Sequence, residues 1–158
     1  METLADIVIV NYRSGGYLQA CIDGLLAQDE KRFRAVIIDN SPETGEVAAL
    51  EGLDERFDIL PQDENTGFAR GCNIGAAVGA APFIAMLNPD AAPRPDWLSS
   101  LIHCMERSGA DMGGSTQLLA DDPSRLDGTG DAYMPLGVAW RGGYEQPVAI
   151  LPETGSCF

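Results

Sequence analysis

Four short apolar runs in the first 90 residues, alternating with segments of helical periodicity, constrain this chain more than any other feature. They are Asp6-Ile7-Val8-Ile9-Val10, Ala35-Val36-Ile37-Ile38, Phe57-Asp58-Ile59-Leu60 and Phe83-Ile84-Ala85-Met86-Leu87. Near-continuous runs rich in β-branched residues are what parallel strands buried on both faces require. Between the first two, Tyr17, Leu18, Cys21, Ile22, Leu25 and Leu26 recur at steps of one, three and four, the spacing of an amphipathic helix. Val47 to Leu53 reads as a weaker helix and Phe68 to Ala80 as a further one. Pro95 suits the first turn of a last helix, with Asp96 near its positive end and Trp97, Leu98, Leu101, Ile102 and Met105 along its buried face. This β-α-β-α-β-α-β order predicts an α/β fold: a Rossmann-like, mainly parallel sheet flanked by helices. Past Ala110 the pattern is mixed, with short strands expected near 112–118, 132–134, 138–140 and 148–151. A length of 158 residues suits one domain.

In sheets of this kind ligands bind outside the carboxyl ends of the strands. The residues there are Asn11-Tyr12, Asp39-Asn40, the Asn65–Arg70 loop and Asn88-Pro89-Asp90. Asx and Pro also make ordinary turns, but four polar strand ends converging on one edge favour a ligand site. The first strand is not followed by G-x-G-x-x-G, and no G-x-x-x-x-G-K-[ST] occurs. A dinucleotide site and a P-loop are therefore both disfavoured. A nucleotide-sized cleft handled by carboxylates remains. One carboxylate at a strand end can accept the N3–H of a pyrimidine or a ribose hydroxyl, and another can hold Mg²⁺ or Mn²⁺ against a diphosphate.

Charge and cysteine usage narrow the alternatives. Ten basic side chains against 24 acidic ones give −14, and Lys31 is the lone lysine. No basic face is available for nucleic acid or for a polybasic membrane anchor. The four cysteines, Cys21, Cys72, Cys104 and Cys157, form no C-x-x-C pair, and His103 is the single histidine. That leaves too few ligands for a zinc site and no partner set for a His-dependent nucleophile. The start lacks the basic n-region of a signal peptide, and the uncharged stretch from Ile74 to Leu87 is too short to span a bilayer. Free thiols without an export signal point to the cytoplasm.

Gly67, Gly71, Gly75 and Gly79 recur at every fourth position along one helical face. Glycine inside a helix costs about 0.5–1 kcal/mol relative to alanine, so the stripe calls for a compensating gain. For Gly75 and Gly79 the expected gain is close packing of helix on sheet. For Gly67 and Gly71, at the helix start, it is room for an anionic ligand to approach the backbone amides.

On these residues the chain resembles the family 2 glycosyltransferases, and most nearly the rhamnosyltransferase-like branch of bacterial cell-surface polysaccharide synthesis. The blocks that carry the likeness are Ile7–Tyr12, Ile37–Ser41, Asn65–Gly75 and Leu87–Asp90, in order over roughly residues 5 to 100. Asn-x-Gly-Phe-Ala-x-Gly-x-Asn is the most specific of them. The resemblance implies a GT-A fold that binds a nucleoside-diphosphate sugar, a UDP- or dTDP-sugar, together with Mg²⁺ or Mn²⁺. It implies that Asn11 and Tyr12 line the nucleoside pocket and that Asp39 binds the pyrimidine. Asn65, Gly67, Arg70 and Asn73 would lie near the base, ribose or diphosphate. Asp90, with Asn88 two residues before it, matches the last carboxylate of the family's D-x-D motif and would be the metal ligand. Asn-Pro-Asp in that place supplies one carboxylate fewer, so nucleotide binding is better supported than metal dependence. On this reading residues 1–110 are the nucleotide-binding half of a single domain and 111–158 the start of an acceptor-side half.

The resemblance also implies inverting transfer to a saccharide or lipid-linked acceptor, on the inner face of the membrane or in the cytoplasm. Such transfer needs a base for the acceptor hydroxyl. Relatives place that base in a later segment, often near a Glu-Asp pair. Asp54-Glu55 and Asp63-Glu64 are reversed in order and too early, and Asp121, Asp122, Asp127, Asp131 and Glu153 read as solvated loop acids. No catalytic base is assigned, and the chain reads as shortened after Phe158. Two expectations follow: a sugar transferase, or a nucleotide-sugar-binding domain without transfer. A sugar-1-phosphate nucleotidyltransferase is disfavoured, since Asn11–Gly16 offers only Arg13 as a basic residue. An unfinished sheet near Ile150, Leu151, Cys157 and Phe158 would also favour self-association into a homo-oligomer.

Overall fold

The computed structural model describes residues 2–134 and 136–151. They fall in two compact units, Met1–Ile102 and His103–Phe158. The first unit holds β1 (Ala5–Asn11), α1 (Tyr17–Leu26), β2 (Phe33–Asp39), β3 (Phe57–Pro61), α2 (Phe68–Ala76) and β4 (Phe83–Met86). A third helix, α3 (Trp97–Ser108), begins in it. The strands make one parallel sheet in the order β3-β2-β1-β4. All seven residues of β1 are buried, as its near-continuous apolar run requires.

The strand order dictates where the helices lie. The chain steps outward from β1 to β2 to β3, then returns across the sheet to β4 on the far side of β1. Right-handed crossovers in opposite directions must put their connections on opposite faces. Two hydrophobic clusters result. Ala5, Ile7, Ile9, Ala35 and Ile37 pack with Leu18, Cys21, Ile22 and Leu25 of α1 and with Leu98 and Ile102 of α3. Val8, Val10, Val36 and Ile38 pack with Cys72 and Ile74 of α2 and with Val78 just beyond it. Each fully buried Val, Leu or Ile stabilises the fold by about 1.5–3 kcal/mol relative to exposure. On β4, at the sheet edge, Ile84 and Met86 are about half exposed, at 51% and 49%.

The glycine stripe seats α2 on β1. A Cβ on Gly71 would meet Val10 Cγ1 at 2.8 Å, one on Gly75 would meet Val8 Cγ1 at 2.3 Å, and one on Gly79 would lie 1.8 Å from Asp6 Oδ2. The close-packing expectation therefore holds for Gly75 and Gly79. It extends to Gly71, whose expected role in admitting a ligand is corrected, because the position is filled by Val10. Gly67 differs: its φ of +78° needs glycine, and nothing lies within 4 Å of its missing Cβ.

Four local expectations change. Val47–Leu53 forms only a 3₁₀ turn at Val47–Ala49, because Val47 alone of that turn is buried and Leu50 is already extended. The second helix stops at Ala76 rather than Ala80, where Gly79 meets Asp6 and the Ala81 amide donates to Asp6 Oδ2 at 2.8 Å. The third helix starts at Trp97, and Pro95 lies ahead of it with its carbonyl accepting the Asp29 amide at 2.8 Å. Val148–Ile150 is a 3₁₀ turn after Pro147, not a strand.

The second unit contains two antiparallel ribbons: β5 (Gln117–Leu118) with β6 (Leu126–Gly128), and β7 (Asp131–Met134) with β8 (Val138–Arg141). Asp122 is held by Ser124 at 2.6 Å, Asp127 pairs with Arg141, and Asp121 and Asp131 are exposed. Hydrogen bonds from Ser124, and then the Arg125 charge, hold the Asp122 carboxyl below the usual range. Asp121 and Asp122 lie outside regular structure as expected, whereas Asp127 sits within β6 and Asp131 opens β7. Glu153, Cys157 and Phe158 lie outside the described residues.

Candidate active site

Strand order 3-2-1-4 places a topological switch point between β1 and β4, where open α/β sheets bind ligands. The carboxyl ends of β2 and β4 flank that of β1, roughly 10 Å apart at two strand spacings. Asn11 and Asp39 are register partners at the ends of β1 and β2. Asn11 is fully buried and Asp39 retains 5% exposure. Asn11 Nδ2 donates to Asp39 Oδ1 at 3.1 Å, and the Ser41 amide donates to the same oxygen at 3.1 Å. The acid is thereby held at the rim of the sheet with one oxygen engaged.

The next residues tie this corner together. Asn40 Oδ1 accepts the Thr66 hydroxyl at 2.9 Å and the Thr66 amide at 3.3 Å, which anchors the loop leading into α2. Asn65 Oδ1 accepts the Gly67 amide at 2.9 Å and completes the entry to the helix. Ser41 Oγ accepts the Arg13 amide at 2.9 Å. Arg13 has φ of +53°, a backbone conformation costly for a non-glycine residue, and its guanidinium lies 5.5 Å from the Tyr12 ring centroid. Tyr12 itself is 47% exposed, leaving ring surface for a ligand.

Arg70 lies in the first turn of α2, exposed, and takes part in none of the ion pairs among the described residues. It stands beside the helix's N-terminal amides, where the dipole favours an anion. Asn73 is exposed as well, and helical periodicity turns it away from the face that Gly71 and Gly75 set against β1. The structure thus groups Asn11, Asp39, Asn65 and Gly67 around one corner and leaves Asn73 on the outer face of α2.

Asn88 and Asp90 are exposed in the loop after β4. That loop is mounted on α1. Cys21 Sγ donates to the Asn88 carbonyl at 3.7 Å, and a Cβ on Gly24 would meet Pro93 Cδ at 2.8 Å. Gln28, fully buried, donates to the Arg94 carbonyl at 2.6 Å and accepts the Leu98 amide at 2.9 Å. Burial, and then the nearby Asp90 charge, push the Cys21 thiol up to about 12, so it stays a neutral packing group. Among the described residues no group of three or more His, Cys, Asp or Glu side chains gathers to hold a metal. The donor set fits a divalent cation bound through one carboxylate, Asp90, with phosphate oxygens and water completing its shell, as Mg²⁺ sites on nucleotides commonly do.

Residue type alone did not single out Ser41 or Thr66 within the strand-end segments named above, nor Gln28, which braces the loop after β4. For the first two the available signal was position, immediately after a strand end and immediately before a helix. For Gln28 there was none.

Comparison with known proteins identifies the family and agrees with the fold. A model of the family "Glycosyl transferase family 2" matches residues 6–145. The chain is 31% identical over 106 residues to the succinoglycan biosynthesis protein ExoO of Rhizobium meliloti, covering 65% of this chain and 30% of that protein. Its fold is similar to that of Staphylococcus aureus TarS 1–349 in complex with UDP-GlcNAc, with a TM-score of 0.58 at 14% identity over 73% of this chain and 37% of that one. It is equally similar to that of the mannosyltransferase PcManGT of Pyrobaculum calidifontis in complex with GDP-Man and Mn²⁺, with a TM-score of 0.58 at 15% identity over 75% and 36%. The chain spans about two fifths of the length of the curated relatives it matches. Among the described residues no helix is long and apolar enough to cross a membrane. The GT-A fold expected from the sequence is the fold observed, and the chain belongs to glycosyl transferase family 2.

Proposed function

We propose that the chain carries the donor site of an inverting glycosyltransferase of cell-surface polysaccharide synthesis, and that its ligand is a UDP- or dTDP-sugar. The observation that carries the reading is the half-engaged carboxylate of Asp39 at the strand edge, between an exposed aromatic ring and a helix N-terminus. Asp39 takes the base, Tyr12 offers its ring to the nucleoside, and Arg70 with the first amides of α2 faces the diphosphate. Asn88 and Asp90 stand at the far end, and Asp90 would hold Mg²⁺ or Mn²⁺. Such an ion, when bound, neutralises charge on the leaving diphosphate. In the transfer, an acceptor hydroxyl oxygen bonds to the anomeric carbon as the bond to the diphosphate oxygen breaks, and the hydroxyl proton passes to a base. The acceptor on this reading is a saccharide or a lipid-linked saccharide. Cys21, Cys72 and Cys104 are free thiols, which supports a reducing, cytoplasmic setting.

Asp39→Ala tests the reading directly. It removes a hydrogen bond to a charged acceptor, worth about 1.5–3 kcal/mol. Titration calorimetry should show UDP and dTDP weakened by about ten- to a hundredfold. No binding of any nucleoside diphosphate by the unsubstituted chain, with Mg²⁺ or Mn²⁺ present, would sink the proposal.

A second reading, donor binding without transfer, draws support from the later acids, since Asp122 and Asp127 are already engaged by Ser124 and Arg141. On either reading residues 1–110 form the nucleotide-binding half and 111–158 the start of an acceptor-side half.

A further inference from the structure

Among the described residues, both hydrogen bonds to the Asp39 side chain end on Oδ1: Asn11 Nδ2 at 3.1 Å and the Ser41 amide at 3.1 Å. Neither reaches Oδ2. Asn11 is fully buried, and its own Oδ1 has no hydrogen-bond partner among the described residues. A buried amide oxygen without a partner is costly, and turning the amide over would place two acceptors against each other. The side chain is therefore kept in a costly place for what its NH₂ does, which is to fix one oxygen of Asp39. The register pairing of Asn11 with Asp39 across β1 and β2 leaves the amide no other acid to serve.

We propose that Asn11 is a positioning residue that sets the base specificity of the nucleotide site. With Oδ1 saturated by Asn11 and Ser41, Asp39 presents a single acceptor, Oδ2. One acceptor satisfies the single imide N–H of uracil or thymine. Guanine offers two adjacent donors, N1–H and N2–H, and pairs best with both oxygens of a carboxylate. Cytosine presents an acceptor at N3, which Oδ2 repels. The inference rests on the nucleotide-binding reading above and goes beyond it by assigning base choice to a residue that does not itself touch the base.

The isosteric change Asp39→Asn gives the sharpest test. The two donors from Asn11 and Ser41 would capture the new amide's oxygen at the Oδ1 position and force its NH₂ to the Oδ2 side. The site then offers a donor where it offered an acceptor. Calorimetry on the full chain with UDP, CDP and GDP should show the unsubstituted protein preferring UDP to both others. In Asp39→Asn, UDP should weaken by about ten- to a hundredfold and the order of UDP and CDP should reverse. Adding Asn11→Ala to Asp39→Asn releases the amide to rotate, so the reversal should shrink. In Asn11→Ala alone, the discrimination between UDP and GDP should narrow, because Oδ1 becomes available to the second guanine donor. A purely structural role for Asn11 would weaken all three nucleotides together and leave their ratios unmoved. That outcome, an unreversed order in Asp39→Asn, or a preference of the unsubstituted chain for GDP would overturn this inference while leaving nucleotide binding intact. Failure of the unsubstituted chain to bind any of the three would overturn both. If Asn11→Ala melts below the assay temperature, Asp39→Asn decides the matter alone.

Discussion

Gly75→Ala is expected to destabilise the chain by about 1–2 kcal/mol, although alanine is the better helix former by roughly 0.5–1 kcal/mol. The added Cβ would meet Val8 Cγ1 at 2.3 Å and Cγ2 at 3.1 Å. Val8 cannot give way cheaply. It is 1% exposed, packs among Val10, Val36 and Ile38, and is stiff at χ1 as a β-branched residue. The helix cannot slide to another register either. Four helical residues rise about 6 Å and two strand residues about 6.6 Å, so Gly71 and Gly75 fall in step with Val10 and Val8, and Gly79, past the helix end, meets Asp6. Urea unfolding of Gly75→Ala, Val8→Ala and the double variant measures the coupling. The double variant should be less destabilised than the sum of the singles, since each change relieves the crowding that the other meets. A Gly75→Ala chain more stable than the parent would mean that α2 is not seated on β1 in this way.

The second large effect is expected at Asp90, where the loss should depend on the ligand. Asp90→Ala should weaken UDP by tenfold or more, about 1.4 kcal/mol, while leaving uridine within about twofold. The logic is positional: Asp90 follows β4 and Asp39 ends β2, with the whole of β1 between them. A base held at Asp39 leaves only the phosphates to reach Asp90. The UDP affinity of the parent should also fall on chelation with EDTA, and that of Asp90→Ala should respond far less. Equal losses for UDP and uridine would point instead to a damaged turn, since the Asn88 carbonyl accepts both the Ala91 amide and the Cys21 thiol.

Parallel strands are the most legible elements in such a chain, because burial on both faces leaves no room for polar interruption. All four of the expected strands of the first unit form, β1 and β2 extending by one or two residues beyond their apolar runs. Helices were less legible where propensity and packing diverge. Phe68–Ala80 looked uniform, yet Gly79 is drawn onto Asp6 and ends the helix early. Val47–Leu53 has apolar spacing, but Val47 alone is buried there, with Leu50 and Leu53 only partly buried against the same cluster. The ribbon strand Leu126–Gly128 carries an aspartate and a glycine in three residues and gives no period to read. In the site, Asn11 and Asp39 were visible as polar strand ends. Their hydrogen bond was not, because it depends on the register between two strands 28 residues apart. Gln28 was hidden for a related reason: a glutamine just past a helix end usually meets water, and here it bonds the returning chain at Arg94 and Leu98.

That glutamine bears on thermodynamics at a distance. Ordering the backbone of one residue costs about 1–2 kcal/mol. Asn88 to Pro95 is held at four successive points, by Cys21 and Gly24 of α1 and by Gln28 and Asp29 just beyond it. The entropy of the loop is therefore surrendered once, when the chain folds, and not again at each encounter with a ligand. Any ligand that Asp90 took would meet a loop ordered beforehand, and part of its affinity would be set by a side chain, Gln28, that lies in the brace and not at the carboxylate.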